Sequence, residues 1–251
     1  MIYSSALIVP DLHVPFEDKK AVKLMYKVAK DLKKLKQIVL LGDVLDFYSV
    51  SSHLKSPQIS DILENEIDAG YNFLAKMRNK FLDVEIKFIE GNHENRLTRY
   101  INKNSPDLTG LLKTEDLLDL EYLDIEWIPY GPEQLTQILD IDDLCARHEP
   151  YSMSVNYMRQ TAMKVHKSLM FGHTHQAAYR SIRNAMGKRV KVWSCGHLVQ
   201  EKHPCFNYYR SSKPWEKGFC IVHKTKNEWF VDQITISDDY EVIYNGKSYR
   251  V

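Results

Sequence analysis

Short apolar runs and longer amphipathic segments alternate through the first third of the chain. Residues 6–9 are apolar and stop at Pro10, and residues 37–41 form a second buried-looking run. Between them, residues 18–36 place apolar side chains at helical spacing and lysines over much of the remaining surface. This pattern predicts a β-α-β unit with parallel strands and a right-handed crossover.

The periodicity then predicts a helix over 60–80, a strand over 84–89 and a mostly helical segment over 94–124 with a break near Pro106. The rest of the chain is strand-rich, with one helix near 154–166. Alternating residues around Asn245-Gly246 indicate a C-terminal β-hairpin, because this dipeptide suits a type I′ turn. The predicted strands of this part are 125–129, 135–141, 143–147, 168–171, 177–182, 189–194, 218–223 and 228–236.

A parallel start followed by a strand-rich second half predicts an α/β fold in which two mixed β-sheets pack face to face between flanking helices. No repeat or linker divides the sequence, so residues 1–251 are expected to form one domain, with 47–80 as a cap or substrate loop.

Composition narrows the classes of partner. The formal net charge is +1, so bulk charge favours neither nucleic acid nor membrane. The lysine run of residues 19–36 is best explained as a solvated helix face, with nucleic-acid contact as the alternative.

The four cysteines are widely scattered, which predicts reduced thiols. The first 15 residues lack a basic segment and a long apolar run, so we expect a cytoplasmic protein with no membrane contact and no secretory signal.

Polar side chains of one chemical kind follow the predicted strands. Ligand sites in α/β folds gather at the carboxyl ends of strands, so these side chains are expected to meet. On an extended segment, Asp11 and His13 would point the same way, and so would His173 and His175. The full set is Asp11 and His13, Asp43 and Asp46, Asn92 and His93, His148, and His173 and His175.

The order D-x-H, GD-x-x-D, GNHE, a lone His and GH-x-H resembles the signature of the calcineurin-like metallophosphoesterases. It spans Asp11 to His175, about two thirds of the chain. The resemblance is to compact phage and bacterial members, through "GNHE-x-R-L" and "W-x-x-G-F", and it implies a four-layer fold of two sheets with flanking helices.

The resemblance also implies residue roles. Asp11, His13 and His175 would bind one metal ion, Asn92, His148 and His173 the other, and Asp43 would bridge both. A hydroxide between the ions would be the nucleophile, His93 the catalytic imidazole, and Asp46 the residue that orients it. Nitrogen and oxygen ligands suit two divalent ions, with Mn²⁺ expected and Fe, Zn²⁺ or Ni²⁺ as alternatives.

Substrate contacts are expected from Arg96, as a bidentate phosphate ligand, and from His53 in the loop after the second strand. Arg99 is a weaker candidate helper. Phe47 stands where protein phosphatases of this family carry an arginine, which argues against that activity. Residues 207–219 interleave aromatic and basic side chains, which suits either base stacking or an ordinary loop anchor.

The sequence thus predicts a dinuclear phosphoesterase that cleaves a phosphodiester in a nucleotide or nucleic acid. The alternatives are a phosphomonoesterase, acting on a small metabolite or a nucleic-acid end, and a scaffold that keeps the fold without chemistry.

Overall fold

Two β-sheets form the centre of the protein in a computed structural model, which describes residues 1–53, 55–57, 59, 62–183, 186–206 and 214–251. The strands are β1 (Ser4–Val9), β2 (Leu35–Leu40), β3 (Glu85–Ile89), β4 (Ile125–Ile128), β5 (Thr136–Gln137), β6 (Leu144–Arg147), β7 (Ser168–Phe171), β8 (Ala177–Arg183), β9 (Arg189–Cys195), β10 (Gly218–Lys224), β11 (Trp229–Thr235), β12 (Glu241–Tyr244) and β13 (Lys247–Arg250). The helices are α1 (Lys19–Lys30), α2 (Leu63–Lys80), α3 (Asn95–Asn104), α4 (Thr114–Leu117) and α5 (Tyr157–Lys164). Among them, no helix has the length and apolar character that crossing a bilayer requires.

Both sheets are mixed. The first has the order β11-β10-β1-β2-β3-β4. In it β1 to β4 run parallel, β10 pairs antiparallel with β1, and β11 pairs antiparallel with β10. The second has the order β5-β6-β7-β9-β8, with β6, β7 and β9 parallel. The predicted fold class and the predicted parallel pair are therefore confirmed.

Successive residues of a strand point to opposite faces of its sheet, so they lie in different hydrophobic cores. Ala6 and Ile8 of β1 lie in the core shared with Met170 and Trp193 of the second sheet. The intervening β1 residues, Leu7 and Val9, pack instead with apolar residues of α1 and α2. On the far face of the second sheet, β7 packs against α5. The result is four layers, helix, sheet, sheet and helix, as expected.

Several helices are shorter than their sequence patterns suggest. α1 begins at the Asp18 cap, whose carboxylate accepts from the backbone N–H groups of Lys20 and Ala21. It ends at Lys30 rather than at residue 36, because Leu35 is already paired with Ser5 in the sheet. The predicted helix over 94–124 is three short helical pieces, since Pro106 and Gly110 at φ 82° interrupt it.

The C-terminal hairpin is present, and Asn245 and Gly246 have φ values of 50° and 73°, as a type I′ turn requires. Within the segment 47–80, α2 buries Leu74 and Met77 in the main core, so this helix belongs to the helical layer. Leu54, Gln58, Ser60 and Asp61 lie outside the described residues, and a cap role for the segment stays a prediction.

Glu66 ties α2 to the segment after Asp46, and its burial predicts a pH-dependent stability. Its carboxylate accepts from the Ser49 backbone N–H at 3.1 Å and from the Ser49 hydroxyl at 3.0 Å. Burial raises the pKa of Glu66 from its ordinary 4.5 to about 7. A carboxyl with a raised folded-state pKa stabilises the fold at low pH and loses that contribution as pH rises from its unfolded pKa through its folded pKa.

We therefore expect Glu66→Gln, which keeps an acceptor for Ser49, to raise stability by about 2 kcal/mol more at pH 8 than at pH 5. Urea unfolding at both pH values measures the difference. An equal change in stability at the two pH values would contradict this expectation. Glu64→Gln is the control, because Glu64 lies two residues earlier in α2 and is exposed.

Candidate metal centre

The carboxyl ends of five strands meet at one edge of the two sheets. β1, β2 and β3 of the first sheet and β6 and β7 of the second each continue into a loop that carries predicted site residues. The first two loops are joined directly, because the backbone N–H groups of Leu12 and His13 both donate to the carbonyl of Asp43. All nine residues from the strand ends lie together.

Three of them, Asp11, His13 and His175, form a first cluster. Nε2 of His13 lies 3.2 Å from Nε2 of His175, which lies 3.5 Å from Oδ1 of Asp11. All three side chains are almost completely buried. Two imidazole nitrogens and a carboxylate oxygen turned toward one point, away from water, are a donor set that suits a cation.

A second cluster contains Asp43, His148 and His173, with Asn92 beside them. Oδ1 of Asn92 is 2.9 Å from Nε2 of His148 and 2.7 Å from Nδ1 of His173. The two imidazole nitrogens are 3.3 Å apart. Like the first cluster, this one combines imidazole nitrogens with a carboxylate, and it adds the amide oxygen of Asn92, so it offers a second divalent ion a similar set of donors.

Asp43 lies between the two clusters. Its Oδ1 is 3.2 Å from Nε2 of His148, and its Oδ2 is 3.7 Å from Nε2 of His13. One oxygen therefore faces each cluster. Oδ1 also accepts from the backbone N–H of His93 at 2.9 Å, which fixes the rotation of the carboxylate.

Hydrogen bonds hold two of the imidazoles in the tautomer that a metal ligand needs. Nδ1 of His13 bonds Oδ2 of Asp46 at 2.8 Å, and Nδ1 of His148 bonds the carbonyl of Leu41 at 2.7 Å. Each ring then turns Nε2 toward the centre of the site. A ligating imidazole with its other nitrogen held by an oxygen is the usual second layer of a metal site.

The surroundings of the imidazoles favour neutral rings in the first cluster and a positive charge in the second. Burial lowers the pKa of His13 to about 4 and that of His175 well below its usual range, so both rings are neutral near pH 7. Burial also lowers the pKa of His148, but the Asp43 carboxylate outweighs it and raises that pKa to about 10. The position between Asp43 and His148 thus favours a positive charge, which a metal ion supplies.

Five of the seven predicted metal ligands have left-handed backbone conformations. Their φ values, all positive, are 29° at Asp11, 52° at His13, 49° at Asp43, 64° at His173 and 57° at His175. The expectation that Asp11 and His13, and likewise His173 and His175, point together along extended backbone is therefore wrong. The chain turns at each ligand, and these turns bring the side chains to one point.

The glycines before Asn92 and His173 allow backbone to approach the carboxylates. A β-carbon on Gly91 would lie 2.2 Å from Oδ1 of Asp43, and one on Gly172 would lie 2.5 Å from Oδ2 of Asp11. A side chain at either position would therefore displace a carboxylate from its cluster.

Glu94 is a positioning residue that the sequence analysis missed. It is fully buried, and its carboxylate accepts from the backbone N–H groups of Gly91, Asp43 and Leu45 at 2.8–2.9 Å. It therefore locks the loop after β2 to the loop after β3. In the sequence, its signal is the glutamate that ends the GNHE motif.

His93 lies closer to the backbone carbonyl of Asp46 than to the carboxylate that was expected to orient it. Nδ1 of His93 is 3.0 Å from the backbone carbonyl of Asp46 and 3.4 Å from its carboxylate. The carboxylate bonds His13 instead, and it also receives Nη1 of Arg96 at 3.1 Å. Nη2 of Arg96 lies 2.8 Å from Nε2 of His93, so histidine and arginine form one wall of the site.

An open cavity of about 670 Å³ exposes this centre. His53, which the sequence predicts as a substrate contact, is exposed and lines this cavity, and the contact stays a prediction. The lining also includes the apolar side chains of Met153 and Val155, both highly exposed, and of Trp215, whose ring centroid is 4.3 Å from that of His175 in an edge-on arrangement. Trp215 thus packs on the site and lines its cavity. Residues 207–213 of the aromatic and basic segment lie outside the described residues.

Comparisons with known proteins give structural similarity only. No family model matches the sequence, and no curated protein matches it. The chain is similar to Vps29 from Chaetomium thermophilum, with a TM-score of 0.45 and 11% identity over 94% of this chain and 87% of that one. It is also similar to the NAD nucleotidase NadN from Haemophilus influenzae, with a TM-score of 0.42 and 13% identity over 99% of this chain and 59% of that one, so it spans less than two thirds of NadN.

Proposed function

We propose that the protein is a dinuclear metal-dependent phosphoesterase that hydrolyses a phosphodiester in a nucleotide or nucleic acid. The observation that carries the proposal is the position of the Asp43 carboxylate between two buried clusters of nitrogen and oxygen donors. His93 and Arg96 stand on the open side of the same cavity, where a substrate would enter.

Asp11, His13 and His175 would hold one ion, and Asn92, His148 and His173 the other, with Asp43 shared. Mn²⁺ is our expected ion. When bound, two such ions supply Lewis-acid activation of water and of the phosphate oxygens. The buried, hydrogen-bonded ligands keep the ligand atoms in place before any ion arrives.

His93 and Arg96 would receive the phosphate. Burial disfavours a charged His93, but Asp43 and Asp46 outweigh burial and raise its pKa, which favours the protonated ring. In the structure Nη2 of Arg96 donates to Nε2 of His93 at 2.8 Å, and a phosphate oxygen that replaced this contact would accept from Nη2 and from a protonated Nε2. The same protonated ring can give its proton to the leaving oxygen.

The composition of the cavity favours a diester over a monoester. Among the described residues that line it, Arg96 is the only lysine or arginine. Phe47, which stands where protein phosphatases of the resembled family carry an arginine, is fully buried. A dianionic monoester gains more from extra cations than a monoanionic diester does, and the apolar side chains of Met153, Val155 and Trp215 in the lining suit the second organic group of a diester.

The test compares Mn²⁺-dependent hydrolysis of bis-p-nitrophenyl phosphate and p-nitrophenyl phosphate by the metal-loaded protein. A higher kcat/KM for the diester supports the proposal. Preference for the monoester would replace it by a phosphomonoesterase, and bound metal without turnover of either compound would favour a scaffold that keeps the fold.

A further inference from the structure

A second cavity, rich in positive charge, opens beside the candidate metal centre. Its volume is about 420 Å³, and it shares His53, Asn92 and Arg96 with the cavity over the metal centre. We call it the α3 groove; its other lining residues are Val50, Ser51, Ser52, Arg99, Tyr100, Lys103 and Asn104. A substrate longer than one nucleotide can extend from the centre into the α3 groove without leaving the protein surface.

One face of α3 forms the basic wall of this groove. Arg96, Arg99 and Lys103 are spaced three and four residues apart, which places them in one stripe along the helix. With a rise of about 1.5 Å per residue, the stripe is about 10 Å long, the rise of about three nucleotides in one strand of B-form DNA. Leu97 and Ile101 are buried on the other side, so packing fixes the stripe toward the groove.

The outer part of the stripe has no counter-charge among the described residues. Arg96 pairs with Asp46 at the inner end, but none of the ion pairs that these residues form includes Arg99 or Lys103. α3 contains no acidic residue, and the described lining of the groove contains none either. Uncompensated cations in a row beside a catalytic cleft attract a chain of negative charges.

Tyr100 adds an aromatic surface to the same groove. Its side chain is 48% exposed, and it follows Arg96 by one helical turn. Exposed aromatic rings between cations are typical of surfaces that bind single strands, since the rings stack on bases and the cations follow the backbone. Duplex DNA would keep its bases stacked inside and could not use this ring.

We infer that the α3 groove binds the part of a single-stranded polynucleotide that flanks the scissile phosphate. Arg99 and Lys103 contact backbone phosphates, and Tyr100 stacks on a base. The inference rests on the proposed function, which it narrows from phosphodiesters in general to those within a polynucleotide strand.

The lysine-rich groove between α1 and α2 is the competing surface. It is larger, about 640 Å³, and Lys23 and Lys30 are among six lysines that line it. However, it shares no lining residue with the cavity over the metal centre, so a strand bound there is not presented to the catalytic residues by a continuous surface. These lysines therefore provide a matched control.

The test measures binding of a fluorescein-labelled oligothymidylate of about twelve nucleotides by anisotropy, in the His93→Ala background to prevent cleavage. We expect Arg99→Gln with Lys103→Gln to weaken binding about 10- to 30-fold at 0.1 M salt. The slope of log K against log salt should become shallower by about 1.4, because each lost phosphate contact on a single strand contributes about 0.7. Lys23→Gln with Lys30→Gln, which removes the same charge, should change the affinity less than about twofold.

Equal weakening by the two double variants, or no measurable binding by the parent, would overturn the inference. Cleavage of bis-p-nitrophenyl phosphate by the wild-type protein separates this failure from failure of the proposed function. Cleavage without selective binding would refute only the binding role of the α3 groove. Selective binding with no cleavage of any diester would refute the phosphodiesterase activity and leave the α3 groove as a binding site.

Discussion

The His93→Ala variant is expected to turn over bis-p-nitrophenyl phosphate about 10²–10⁴ times more slowly than the wild-type protein, while its metal content stays unchanged. His93 lies on the wall of the cavity, and its ring nitrogens are closest to the Asp46 carbonyl and to Arg96. Its Nε2 is 3.9 Å from Oδ2 of Asp43, and it belongs to neither of the two clusters, although it also lies near His13 and Asp46. Loss of the ring should therefore remove proton donation and leave both sets of ligands in place.

Steady-state kinetics at saturating Mn²⁺, with elemental analysis of the same samples, measures both quantities. His166→Ala, at an exposed position just after α5, is the matched control and should keep wild-type turnover and metal content. Unchanged turnover in His93→Ala would refute the catalytic role. Loss of metal together with turnover would make His93 a ligand instead.

Asp43→Asn should weaken metal binding itself, by at least about 100-fold for one ion, and abolish most activity as a consequence. A carboxylate presents an acceptor oxygen to each cluster, whereas a carboxamide presents one acceptor and one N–H donor group. Whichever way the amide turns, His148 or His13 faces a donor in place of an oxygen. The loss of negative charge also removes the attraction that holds a cation beside His148.

Isothermal titration with Mn²⁺ and elemental analysis test this expectation, and thermal unfolding checks that the variant is folded. Asp83→Asn is the control, because Asp83 is exposed in the turn that leads into β3, at the edge of the sheet opposite the site. Two ions bound by Asp43→Asn with wild-type affinity would show that Asp43 is not shared between them.

The central strands, such as β1, β2 and β7, could be predicted from sequence because they are buried on both faces. Continuous apolar runs such as residues 38–41 leave little choice of structure, and the polar residues that follow them must then lie at the strand ends. The division into Asp11, His13 and His175 and into Asp43, His148 and His173 is what the family resemblance implies, and the structure brings both groups together.

The local geometry of the site could not be predicted in the same way. Left-handed φ at Asp11 or His175 arises from contacts made only in the folded protein, such as the backbone N–H of His173 donating to Asp11 at 2.8 Å. The role of Glu94 depends on three N–H groups from two distant segments. The α3 groove depends on the rotation of a helix, which packing of Leu97 decides.

The left-handed ligands also have a consequence for the history of the protein. Each one holds a side chain in a backbone conformation that glycine or asparagine adopts more readily, at a cost of order 1–3 kcal/mol. A descendant that no longer needed its metals could gain stability by replacing these residues, so loss of the centre would be energetically downhill. In such lineages we expect substitutions at these residues to accumulate before substitutions in the strands, which would leave a stable fold without the metal-binding residues.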